Sequence, residues 1–193
     1  MTAGRLSPGV AADGAVRAAI YVPYTDLHPA TLAALEPERD RVELVDVSED
    51  GAYWHLFESL WRRGEDFILV EHDIEVGEST IESFDRCPKS WCTATYRWQR
   101  REGYRGPSDV ILWHALGCVR YRSELIARHP EVADTRWLRA RWPHLGEPPF
   151  DYRLVDAIQS EVLRRRLQQP HLHARVTHHQ RIAGERAGGE MPR

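Results

Sequence analysis

Apolar and polar positions alternate between two rhythms along this chain, one suited to strands and one to helices. Residues 16–22 (Val-Arg-Ala-Ala-Ile-Tyr-Val) are β-rich and stop at Pro23, which cannot donate to a sheet ladder. A short helix is predicted over about 29–35, and a second strand over 41–47. Tyr53, Trp54, Phe57, Leu60 and Trp61 then recur at helical spacing, behind a cap at Ser48 or Asp50 and before a closing glycine at Gly64. The four-residue apolar run Phe67-Ile68-Leu69-Val70 opens a central strand predicted over 67–74. A continuous run of that length suits a strand covered on both faces. Further on, Ser79 caps a helix through Phe84, and residues 91–96 read as a strand. A charged loop with Gly103, Gly106 and Pro107 fills 97–108, and 110–122 carries either a strand pair or a strand and turn around Gly117. Ser123 caps a short helix, and a tryptophan-rich stretch covers 137–142. A long helix over about 151–167 places Leu154, Val155, Ile158, Val162 and Leu163 on one side, before an extended segment at 171–179. Strands alternating with helices predict an α/β fold with a mostly parallel central sheet flanked by helices. At 193 residues one domain is expected, over 16–180, between loose tails at 1–15 and 181–193.

The central run ends abruptly in acid, at Glu71-His72-Asp73. In open α/β sheets ligands sit beyond the carboxyl ends of the strands, so these carboxylates are expected at the rim where a ligand arrives. If the segment stays extended, residues i and i+2 point the same way, and Glu71 and Asp73 face one point. Two hard oxygen ligands suit Mg²⁺ or Mn²⁺, which are usually held by one or two carboxylates plus substrate phosphates. An acidic turn in solvent is the plain alternative. Composition narrows the partners. The formal net charge of -3 gives no overall basic field to draw the chain onto nucleic acid or an anionic membrane. No apolar run approaches the ~18 residues of a membrane span. The three cysteines, Cys87, Cys92 and Cys118, have no paired zinc spacing and read as reduced thiols of a cytoplasmic protein. Dinucleotide, P-loop and nucleophile-elbow glycine motifs are absent.

The order of these features resembles a small GT-A-type glycosyltransferase, over roughly residues 16 to 180. Val22-Pro23-Tyr24-Thr25 is similar to the end of that family's donor-binding first strand and its loop. Glu71-His72-Asp73 resembles its metal-binding Asp-x-Asp motif, with Glu in the first position. The stretch from Leu116 to Ser123 resembles the glycine-containing acceptor-side strand, 151–164 the helix with the acidic base, and Val176-Thr177-His178 the strand whose histidine completes the metal site. The resemblance implies a Rossmann-like single-domain sandwich that moves a sugar from a UDP- or GDP-sugar to an unidentified acceptor hydroxyl. It implies Mn²⁺ or Mg²⁺ on Asp73, Glu71 and His178. Donor contacts are implied at Pro23, Tyr24, Thr25, Asp46, Tyr53 and His72, and acceptor-side contacts at Gly117 and Cys118. Asp156 is the first choice for the base and Asp151 the second. Two other readings stand beside it. One is a Zn²⁺ or two-metal hydrolase built on the histidine-rich segment with Glu71 and Asp73. The other is a nucleotide-sugar-binding module without turnover.

Overall fold

The chain first forms a small antiparallel pair, Gly9–Val10 (β1) with Val16–Arg17 (β2), inside and beside the segment expected to be a loose tail. The structure is a computed structural model that describes residues 9–10, 16–98, 101–102, 117–141 and 171–179. Ala19–Tyr24 (β3) follows, so the first strand runs through Pro23 instead of stopping there. Register gives the reason. β3 pairs with Phe67–Val70 only through Tyr21, while on its other side pairing continues to Tyr24. The Tyr24 carbonyl accepts from Val47 N–H on that continuing side, so the donor Pro23 lacks faces the side where pairing has already ended.

Pro29–Leu35 (α1) is capped by His28, whose Nδ1 accepts the Ala30 N–H, with Pro29 at the first helical position. A 3₁₀ turn, Glu36–Arg41, leads into Val42–Asp46 (β4). Ala52–Arg63 (α2) starts behind Gly51 in the left-handed region, so the cap position is Gly51, neither Ser48 nor Asp50, and the helix ends at left-handed Gly64. Phe67–Val70 (β5) is shorter than the 67–74 expected from sequence, and Ile74–Glu75 (β6) is a separate strand. Then come Thr80–Arg86 (α3), Trp91–Trp98 (β7), Arg101–Glu102 (β8), Cys118–Tyr121 (β9), Ser123–Arg128 (α4), Thr135–Arg141 (α5) and His171–His178 (β10). The helix expected over 151–167, with Asp151 and Asp156, lies outside the described residues.

The main sheet runs β4-β3-β5-β9-β7-β10-β6, with β8 on β7. Pairing directions make β3, β4, β5, β7 and β10 co-directional, against β6, β8 and β9. The sheet is therefore mostly parallel and covered by helices. Alternation along β5 sends Phe67 and Leu69 to one face and Ile68 and Val70 to the other, and all four are buried. The first face packs on the aromatic side of α2, with Phe57 and Trp61 against Tyr121 and Trp54 beside Phe57, and on α4 and α5. The second packs Ile20, Val22 and Val70 against Leu35, Ile81 and Phe84. Burial of both faces explains why β5 reads as a continuous apolar run.

One end of the sheet bends back over its centre. Only Glu71, His72 and Asp73 separate β5 from β6, yet β6 stands four strand spacings away in the sheet order. In a flat sheet that is roughly 19 Å, against a reach of roughly 14 Å for the chain from Val70 to Ile74. The outer strands must curl over the rim. A register shift in β10 between His173 and Arg175 supplies a bulge of the kind that increases bend.

Candidate functional site

The five co-directional strands end at one rim. Tyr24 closes β3, Asp46 closes β4, and Glu71 follows β5, while β9 begins there at Cys118 behind Gly117. Two fixed points tie the acidic segment to this rim. Glu71 N–H donates to the Gly117 carbonyl at 2.7 Å, extending the β5–β9 ladder by one bond past Val70 and Cys118. Ile74 N–H donates back to the Glu71 carbonyl at 3.0 Å. Residues 71–74 therefore form a turn, with His72 and Asp73 at its corner. That corrects the extended geometry from which Glu71 and Asp73 were expected to face one point.

The Glu71 side chain lies toward α2, where the Tyr53 hydroxyl reaches its Oε1 at 3.5 Å, the outer limit of a hydrogen bond. Tyr53 itself is buried in the aromatic face of the core. Cys118 is fully buried beside Glu71, and desolvation first, then the Glu71 charge, pushes its thiol well above the ordinary range. Asp46 is exposed, and Ser48 donates both its hydroxyl (2.6 Å) and its N–H (2.9 Å) to Oδ1, holding the carboxyl below the usual carboxylate range. Pro23 is buried, Tyr24 half-buried and Thr25 exposed.

Across the turn the arrangement is different. His72 offers its carbonyl to two donors, His28 N–H and Thr31 Oγ1, each at 2.9 Å. Asp73 offers its carbonyl to His179 N–H at 2.8 Å. The His179 ring meets Glu75 Oε2 through Nε2 at 2.7 Å and stacks on the His28 ring, centroids 4.3 Å apart and planes within 11°. The backbone of β10 thus arrives beside the acidic turn despite about a hundred residues of separation, with His178 opposite Ile74 in register. His28, Thr31 and Glu75 were not singled out from sequence. The readable signal was His28 directly before Pro29, a helix-start pattern.

Two carboxylates on three residues at a strand end are hard oxygen groups, the donor type that Mg²⁺ and Mn²⁺ take. Among the described residues no group of three or more His, Cys, Asp or Glu is arranged to hold a metal ion. The stacked pair is itself no chelate. Imidazole lone pairs lie in the ring planes, and two nearly parallel planes 4.3 Å apart do not converge on one ion. No helix among the described residues is long and apolar enough to cross a membrane.

No protein-family model matches the chain, and no curated protein matches it. Among solved structures it is similar to a glycosyltransferase involved in the glycosylation of the major capsid of PBCV-1, at 12% identity over 82% of each chain, with a TM-score of 0.46. It is also similar to A197 from STIV, at 11% identity over 82% of this chain and 81% of that one, with a TM-score of 0.49. At those identities neither carries an activity over to this chain.

Proposed function

We propose that this chain transfers a sugar from a nucleoside-diphosphate donor, using a divalent cation at the turn Glu71–Asp73. The observation that carries the reading is the placement of two carboxylates at the carboxyl end of a strand buried on both faces. The rim there is shared with Tyr24, Asp46, Tyr53 and Gly117. Mn²⁺ or Mg²⁺ would supply Lewis-acid stabilisation of the charge that grows on the leaving diphosphate.

The chain's own residues divide the remaining work. Glu71 and Asp73 would hold the cation, with the imidazole of His178 as the third donor the resemblance implies. Asp46, held ionised by Ser48, suits hydrogen bonding to hydroxyls of a donor. Tyr24 and Tyr53 would border the nucleotide. An inverting transfer needs a carboxylate to take the acceptor's proton, a role for Asp156 or, failing it, Asp151. The test is a thermal-shift panel of UDP, GDP and their sugars with and without Mn²⁺, followed by sugar release. Mn²⁺-dependent stabilisation with turnover supports the enzyme, and stabilisation without turnover assigns a binding module.

A further inference from the structure

The acidic turn is held by two remote parts of the chain. From the N-terminal side, His28 N–H and Thr31 Oγ1 both donate to the His72 carbonyl. From the C-terminal side, His179 N–H donates to the Asp73 carbonyl. The rings join these two supports directly, in addition to the pairing of β10 with β6. The imidazoles of His28 and His179 stack at 4.3 Å, and Glu75, on the strand leaving the turn, fixes the His179 ring at 2.7 Å. Each histidine therefore has two anchors, since His28 also caps α1 through Nδ1. The result is a closed loop of contacts from α1 to the turn, to β10, and back to α1.

We infer that the His28–His179 stack is a clasp that positions the Glu71–Asp73 turn. This deepens the cation-binding reading above and, for its effect on affinity, rests on it. A three-residue turn carrying two carboxylates repels itself. With the carbonyls of His72 and Asp73 each held by a different remote segment, the backbone is kept from relaxing by swinging the acids apart. Pre-ordering of that kind lowers what a ligand must expend in fixing its own site. Outer residues that orient metal ligands act in the same way. His28, Thr31 and His179 are positioning residues in this account, acting through the backbone of the turn.

The full chain tests the clasp, as wild type, His28→Asn, His28→Phe and Asp85→Asn. Asn keeps an acceptor for the α1 cap and removes the ring, whereas Phe keeps a ring to stack and removes the acceptor. Asp85 pairs with Arg41, at the other end of the strands, and serves as a control for general loss of stability. Amide exchange at Ile74 and His179 reads the order of the turn without any ligand. In His28→Asn both amides should exchange about tenfold faster or more. Mn²⁺-dependent affinity for UDP or GDP should fall about tenfold, the lower scale for losing an orienting partner. His28→Phe should restore both, and Asp85→Asn should leave both unchanged. Unaltered exchange in His28→Asn overturns the clasp, and so does an equal effect from Asp85→Asn. If wild type binds no Mn²⁺–nucleotide while His28→Asn still loosens the turn, the clasp stands and the proposed function falls.

Discussion

Glu71 and Gly117 share a backbone hydrogen bond of 2.7 Å, the last rung between β5 and β9. That bond fixes where the buried strand ends and the acidic turn begins. It also brings a segment read as acceptor-side to the acidic motif, with Cys118 buried behind it. Any residue carries the carbonyl that Gly117 offers here, so this bond by itself does not demand glycine at 117.

Gly64 closes α2 at φ 71°, and a Cβ built there would meet nothing within 4 Å. The cost of Gly64→Ala is therefore conformational, about 1 kcal/mol. Gly64→Asn should cost less, since Asn tolerates the left-handed region. Urea unfolding of the three proteins, with unchanged m-values, checks this.

The thiols should be inert and should make stability fall at alkaline pH. Burial pushes Cys92 up to about 12 and raises Cys118 too, while the unfolded chain loses these protons near the ordinary thiol value of about 8.5. Above that value the unfolded state binds fewer protons than the folded one. Stability is thus complete below about pH 8.5 and declines as pH rises toward the folded value, by at most about 1.4 kcal/mol per unit for each thiol. Native protein should react with a thiol reagent only as fast as it opens. Rapid labelling of Cys92 or Cys118 in the folded state would contradict their burial.

Arg120 is buried in β9. Its guanidinium donates to the carbonyls of Phe84, Cys87 (3.0 Å) and Lys89 (2.5 Å) where α3 ends. Arg122 joins it on the Cys87 carbonyl at 2.7 Å. Arg120→Met would leave several buried acceptors unsatisfied, at about 2–4 kcal/mol. Denaturant unfolding should show that loss. A change under about 1 kcal/mol would mean the carbonyls find water instead.

The sequence carries the parts of this fold that local physics decides. The run Phe67–Val70 reads as a doubly covered strand because both faces are buried. The spacing of Tyr53, Trp54, Phe57, Leu60 and Trp61 reads as α2 because one face packs on the sheet. Less legible was anything set by distant partners. Pro23 fits inside β3 only because β5 stops pairing at Tyr21, a matter of register. The turn at His72–Asp73 follows from β6 joining β10, a pairing about a hundred residues apart that no local pattern announces. The stack of His28 on His179 depends on that same pairing.

Asp156 lies outside the described residues, and its expected role is tested by kinetics. Asp156→Asn should leave donor binding nearly unchanged and lower turnover by about 10²-fold or more. Weakened binding with preserved turnover would assign Asp156 to donor contact or structure. A retained configuration in the product would remove the need for a base there.

The most direct measurement is calorimetric titration of the chain and of Asp73→Asn with UDP and GDP, with and without Mn²⁺. The account predicts Mn²⁺-dependent binding by the wild type. It also predicts a folded Asp73→Asn protein whose affinity falls at least about tenfold, since even outer partners of a metal carry that much. Equal affinity in the two proteins, or binding indifferent to Mn²⁺, would contradict the cation at the Glu71–Asp73 turn.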